Sequence, residues 1–409
     1  EILGDETMIE EELKFVKDRA TEISKSQPPK AFNWEIEFPE VFFGEDGTLK
    51  ENPGFDCVVG NPPYIRTDEL SREMREGYKN LWSSYAIGKW DVYYFFYALN
   101  LALAKEGGAI GYITPNKFLV NDSALSLRLL FLNETTFKYI IDLSGVDVFT
   151  GSIPPSAIFI FEKTLASTSH QVNVDIWENS IVPQEIWTEI SRLTESQRIM
   201  FILGYVFRNL AYKKVSQQKF RKTEGNIFTI HLFDSYDTIV SKMERDTFRF
   251  GDLCERISEG DINREEEETF TTERKKGYVK AISSGDLDRY IVNWRTGYIK
   301  SKLEKKNRIL FADIAPQIEA ALDDGNFKCL RKVYCAYLKK YHEKYIKLII
   351  AELNATISQF YYRIYFYPTR MSPREGNFRF RSQFVAKLPI KILDAQQAQI
   401  ISLVDAICL

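Results

Sequence analysis

Histidine is scarce in this chain: His170, His231 and His342 are the only three among 409 residues. Chemistry that needs a histidine base or a histidine-rich metal centre has little to draw on, and no metal site is expected. Cysteine is nearly as sparse. Cys57, Cys254, Cys329, Cys335 and Cys408 are odd in number and form no close ligand pair. That pattern argues for a reducing, cytoplasmic setting with neither a disulfide framework nor a zinc site. No apolar run approaches a membrane span and no signal peptide is legible, so no membrane partner is expected. Charge of neither sign dominates, with 54 Lys and Arg against 57 Asp and Glu and a net charge of −3. Any nucleic-acid surface must therefore be a local patch. A Gly-x-Gly turn after an apolar strand is also lacking at the start. Before Gly60 the glycines are Gly4, Gly44, Gly47 and Gly54, and Gly44 with Gly47 reads as a plain turn.

What the chain does have is length enough for two domains and one unusual stretch. Phe55-Asp56-Cys57-Val58-Val59-Gly60 is an apolar, β-branched run that breaks into Asn61-Pro62-Pro63-Tyr64. This predicts a buried strand ending in a stiff, non-helical loop. In open α/β sheets ligands bind beyond the carboxyl ends of strands. Neither proline has an N–H, and each fixes its own φ, so the loop offers carbonyl acceptors in a rigid frame. Asn61 adds an uncharged side-chain acceptor. A planar amine such as that of adenine has two N–H donors and a lone pair delocalised into its ring. Two fixed acceptors, the Asn61 carboxamide and the Pro62 carbonyl, draw those protons and favour a pyramidal nitrogen able to attack a methyl group. Tyr64 supplies a flat face for a base to stack on, worth about 1–3 kcal/mol.

Asn61-Pro62-Pro63-Tyr64 after an apolar strand resembles the catalytic motif of amino-methyltransferases that use S-adenosylmethionine. The longer string Phe38-Pro39-Glu40-Val41-Phe42, then Gly54-Phe55-Asp56 and Gly60 to Ile65, is similar to bifunctional type II (type IIG) restriction–modification enzymes that methylate adenine. Three further pieces match in order: Asp91 to Phe96, Gly107 to Pro115, and Val148-Phe149-Thr150-Gly151 followed by Ser156 to Phe161. The resemblance implies that Phe149 helps hold a flipped base, ordinary core packing being the other reading. It implies that Asp91 and Tyr93 line the cofactor edge, although Tyr93 also suits a core position. The family's Gly-rich donor-binding turn lies upstream of this motif and is not found here. The chain is thus expected to be an α/β protein holding the second half of a Rossmann-like S-adenosylmethionine-dependent methyltransferase sheet. Its partner would be the missing N-terminal methyltransferase or nuclease region, or another chain, and half a sheet would expose a strand edge and an apolar face.

The rest of the sequence divides accordingly. Residues 1–54 read as an N-terminal helix and linker, with Phe32 to Pro39 alternating like a short edge strand. Residues 55–165 form the partial catalytic region, patterned strand, helix, strand, helix, strand, strand. Residues 166–246 are a connector. Its basic stretch, including Lys213 and Lys214 with Tyr212 and Phe220 between its cations, reads either as a solvated helix face or as phosphate contacts. Residues 247–409 resemble a TaqI-like C-terminal specificity domain of mixed α/β structure, and the acidic run Glu265 to Glu268 reads as a solvated loop. Within it, Arg363, Arg370, Arg374, Arg379 and Arg381 alternate with Tyr361, Tyr362, Tyr365, Tyr367, Phe378 and Phe380. Arginine can fork onto guanine edges or phosphates and aromatics can stack; pairing with the protein's own carboxylates is the other reading. The expected function is adenine-specific methylation of double-stranded DNA. A DNA-binding fragment inactive alone, a phage-exclusion methyltransferase and a protein-glutamine methyltransferase are the alternatives.

Overall fold

The computed structural model describes residues 32–146, 148–149, 155–177, 188–189, 192–366, 377–392 and 397–408. Arg370, Arg374, Tyr367, Thr150 and the helix expected over 1–30 lie outside them.

The expected edge strand near Phe32 does not form. The Asn33 side chain instead accepts from the Glu35 amide and caps a turn over Trp34–Glu37, and Pro39 opens a second turn over Pro39–Phe42. Both residues favour helix starts, because one satisfies an orphan amide and the other has none to satisfy. Trp34, Phe38 and Phe42 then converge on Phe55, with ring centroids 5.8, 5.5 and 5.7 Å away.

Six strands make the first sheet: β1 (Phe55–Gly60), β2 (Ala104–Pro115), β3 (Thr136–Asp142), β4 (Ser156–Glu162), β5 (Gln171–Ile176) and β6 (Lys213–Ser216). Their order is β1-β2-β4-β3-β5-β6. β1 and β2 run parallel, as do β3 and β5, while β4 is antiparallel to both β2 and β3. Parallel neighbours need crossovers. Helices α1 (Arg72–Leu81) and α2 (Tyr93–Leu103) lie between β1 and β2, and α3 (Leu125–Glu134) lies between β2 and β3. Helix α2 is buried almost all round, and its Tyr97 ring meets Phe118, Phe131 and Phe161. An aromatic core thus fills one face of the sheet, each buried ring contributing about 1.5–3 kcal/mol.

The other face is covered unevenly. Helix α4 (Glu195–Arg208) lays Ile202 and Val206 over Ile141, Leu143 and Ile158 near β3 and β4. Over β1, Cys57 is exposed and Val59 is 79% exposed. Among the described residues no strand pairs with the outer side of β1. The edge and apolar face expected of half a sheet are present.

The second unit is built on a four-stranded antiparallel sheet. In chain order its strands are β7 (Cys254–Glu259), β10 (Arg308–Ala312), β11 (Ala320–Asp323) and β13 (Val333–Leu338), arranged β11-β10-β13-β7. A smaller sheet holds β8 (Tyr278–Ile282) between β9 (Gly297–Lys300) and β12 (Lys328–Cys329). Helix α5 (Ile346–Asn354) and α6 (Thr356–Phe366) pack against this core, and α7 (Gln397–Cys408) docks on α5 with Lys347 bonded to Asp405. The two units meet through Lys387 to Asp122 at 3.1 Å and Arg249 to Glu224 at 3.9 Å.

Candidate functional site

The loop after β1 sits where parallel strands end. Gly60 pairs with Tyr112 in register, so Asn61 emerges beside the last residues of β2. A Cβ at Gly60 would lie 2.8 Å from the Tyr112 ring, so the close approach of the two strands needs glycine there. Downstream, the Thr67 amide donates to the Trp90 carbonyl at 3.1 Å and the Val92 amide to the Ile65 carbonyl at 2.9 Å. These bonds clamp the far end of the loop to the start of α2. Between its two anchors the loop exposes Asn61 and Pro63, buries Pro62 and leaves Tyr64 half-buried.

Tyr64 donates its hydroxyl to the Ile113 carbonyl at 3.1 Å. Burial pushes the phenol up to about 12, a hydrogen bond with Ser156 opposing the shift. The ring is therefore neutral at physiological pH and works as a surface rather than a base. Phe149 stands edge-on to it, centroids 5.9 Å apart and planes at 89°. The structure thus brings Asn61, Pro62, Pro63, Tyr64 and Phe149 to one place, from a strand end and from the loop after β3.

That second loop is held by residues the sequence reading passed over. Asp142, at the carboxyl end of β3, is wholly buried. Its Oδ1 accepts from the Ser144 amide at 3.0 Å, the Ser144 hydroxyl and the Asn116 amide nitrogen at 3.2 Å. Asn116 Nδ2 also donates to Ser144 Oγ at 2.6 Å, and His231 Nε2 from the connector lies 3.6 Å from Asp142 Oδ2. A polar residue directly after an apolar strand, as in Pro115-Asn116 and Asp142-Leu143-Ser144, was the available signal. This buried cluster ties the ends of β2 and β3 together below the loop that leads to Phe149.

The other predicted positions divide. Asp91 is buried and bonded to Lys117 at 2.8 Å; burial raises its carboxyl and Lys117 draws it back. Tyr93 is fully buried, its ring against Tyr94, Tyr97 and Phe118. Asp91 is thus engaged by Lys117, and Tyr93 is a core ring. Lys213 and Lys214 are exposed on β6, a strand rather than a helix face, and Lys213 lies 4.6 Å over the Phe233 ring. Arg379 turns inward onto the buried carboxylate of Asp313 at 3.0 Å, so for it the pairing reading holds. Arg363 is exposed above Phe378 at 5.0 Å, and Arg381 is exposed. The rings between them are not a stacking surface, because Tyr361, Tyr362, Phe378 and Phe380 are core residues.

With this geometry in place, comparison with known proteins bears on the first unit: residues 5–149 match the Eco57I restriction-modification methylase family. About a third of the chain is thus similar to restriction–modification methylases. Residues 242–406 match the type I restriction modification DNA specificity domain, so the second unit is similar to a specificity domain. The type II methyltransferase M.HincII of Haemophilus influenzae is 28% identical over 141 residues, which is 34% of this chain and 28% of that protein. The type II restriction enzyme and methyltransferase RM.Eco57I of Escherichia coli is 22% identical over 226 residues, 48% of this chain and 22% of that protein. The type IIL restriction-modification enzyme MmeI, solved with DNA, shares the fold at a TM-score of 0.52 and 10% identity, over 86% of this chain and 49% of that one. The chain thus spans well under a third of the length of both M.HincII and RM.Eco57I.

Proposed function

We propose that this chain is the catalytic and target-reading part of an adenine-specific DNA methyltransferase of a type II restriction–modification system. Residues 55–165 do the chemistry, 166–246 connect, and 247–409 read the duplex. The observation that carries this is the exposed Asn61 amide beside a half-buried Tyr64 ring, with Phe149 edge-on to it, at the carboxyl ends of parallel strands. A target adenine turns out of the duplex at a cost of a few kcal/mol and stacks on Tyr64, with Phe149 at its rim. Asn61 Oδ1 and the Pro62 carbonyl accept its two amine protons, which localises the nitrogen lone pair. S-adenosylmethionine is the methyl donor such an enzyme uses. Because Asp91 and Tyr93 are engaged elsewhere, the donor is bound by a region that completes the sheet along β1, either upstream sequence or a partner chain.

In the complete enzyme, Asn61→Ala removes an acceptor aimed at developing charge. Methyl transfer is expected to fall by at least about a hundredfold, the scale for one preorganised hydrogen-bonding group, with duplex binding nearly unchanged. Weakened binding with normal turnover per bound site would contradict the assignment. A second reading, a DNA-binding module with no turnover by itself, is favoured by the engagement of Asp91 with Lys117. Calorimetric titration of this same chain with S-adenosylmethionine tests where the donor sits: saturable binding refutes the module and puts the donor site within these residues, whereas its absence is expected of a donor site that lies elsewhere.

A further inference from the structure

The basic surface that the chain's net charge of −3 conceals lies in the specificity segment, away from the arginine run at 361–381. Between residues 272 and 306 there are ten lysines and arginines against four carboxylates. One of those carboxylates, Asp286, is buried and spends its oxygens on the amides of Ser283, Arg295 and Thr296. The cations are placed by the antiparallel pairing of β8 and β9, which sets Lys280 opposite Tyr298 and Tyr278 opposite Lys300. Because strand side chains alternate between faces, those four residues share one side of the ribbon. Both tyrosines are half-buried and both lysines exposed.

The rings between the lysines are fixed. Trp294 donates its indole N–H to the carbonyls of Ala281 and Gly297 at 3.0 and 3.2 Å, and Tyr298 stands edge-on to it at 5.1 Å. The Lys280 ammonium lies 4.6 Å over the indole, and Lys275 lies 6.0 Å over Tyr278. Gly297 makes the ribbon possible: with φ at 154°, a Cβ there would sit 2.6 Å from the Thr271 carbonyl. Lys275, Lys280, Arg295 and Lys300 form no ion pair among the described residues. Lys219, Lys347, Lys387 and Arg379, by contrast, each have a carboxylate.

We infer that this face of the β8–β9 ribbon lies against duplex DNA, with Lys280 and Lys300 on phosphates and the Trp294–Tyr298 pair against the groove wall. The inference rests on the DNA-methyltransferase reading and adds the surface that touches the duplex. Unpaired cations interleaved with immobilised rings suit a polyanion whose flat faces lie beside its charges. The third strand, β12, joins β8 only at Ala281 and Ile282, so over Tyr278 to Lys280 the sheet is two strands wide, narrow enough for a major groove about 12 Å wide.

The test is binding of a duplex to the full chain across a salt series. Each lost phosphate contact lowers the slope of log K against log salt by about 0.9. Lys280→Ala with Lys300→Ala is therefore expected to reduce the slope by about 1.8 and the affinity about tenfold or more at low salt. Lys280→Arg with Lys300→Arg keeps the slope, which separates charge from folding, as does an unchanged melting temperature. If the unmodified chain binds duplex and the alanine pair leaves the slope unaltered, the ribbon assignment is overturned while the DNA reading survives. If the unmodified chain shows no salt-dependent binding, the DNA reading itself fails. Single-stranded DNA competing as well as duplex would also overturn the assignment.

Discussion

Glu319 shows how far one half-buried carboxyl can depart from solution behaviour. Burial lifts it from 4.5 to about 7, and the neighbouring charge of Asp288 adds to the shift. A raised folded-state value means that the stabilising contribution is complete below the unfolded value and is lost as pH rises through about 7. Thermal melts should therefore show Glu319→Gln more stable than the parent at pH 8 and nearly equal to it at pH 5. An equal gain at both pH values would mean that packing, and not ionisation, governs the site. Tyr64 is displaced by the same physics in a useful direction. Its phenol is held neutral and pinned to the Ile113 carbonyl, so the ring keeps one orientation at every pH where methylation would run.

At the scale of elements, the second sheet is pinned by one guanidinium. Arg308 on β10 bonds Asp323 at 2.9 Å, Asp261 at 2.7 Å, the Tyr337 hydroxyl at 2.9 Å and the Phe327 carbonyl at 2.6 Å. Asp323 is buried with it. Arg308→Met leaves the buried Asp323 without a cation, while Asp261 keeps Lys328 at 3.8 Å, and urea unfolding should register a loss of about 3–5 kcal/mol; a loss under about 1 kcal/mol would show that the sheet relaxes around the gap. The start of the first sheet was legible because β1 and β2 are apolar runs stopped at Gly60-Asn61 and Pro115-Asn116, and such breaks survive any packing. Residues 33–42 were misread because alternation over a few residues cannot outweigh a capping Asn33 and a Pro39 at a helix start. The arginine run at 361–381 misled for a different reason. Spacing does not reveal that Asp313, 66 positions away, takes Arg379, or that the intervening rings are core. The ribbon was invisible for the converse reason: Lys280 and Lys300 are distant in sequence and share a face only through strand register.

For the whole molecule, the site was legible where chemistry is local and obscure where it depends on contact. Asn61 to Tyr64 is contiguous, whereas Asp142, Asn116 and Ser144 meet only in the fold, and spacing does not reveal that Asp91 pairs with Lys117 or that Tyr93 is a core ring. The two units meet through polar contacts and through the Tyr236 ring edge-on to Phe360 at 5.2 Å, with a cavity of about 370 Å3 between connector and second unit lined by Arg249, Glu244 and Tyr361. The outer side of β1 has a harsher consequence. Between Phe55 and Gly60 there is neither proline nor lysine to discourage pairing, and natural sheets rely on such guards. With that edge unpaired, chains should stick to one another strand against strand, so light scattering will climb with concentration. Val59→Lys, a gatekeeper set into the bare strand, should quieten it.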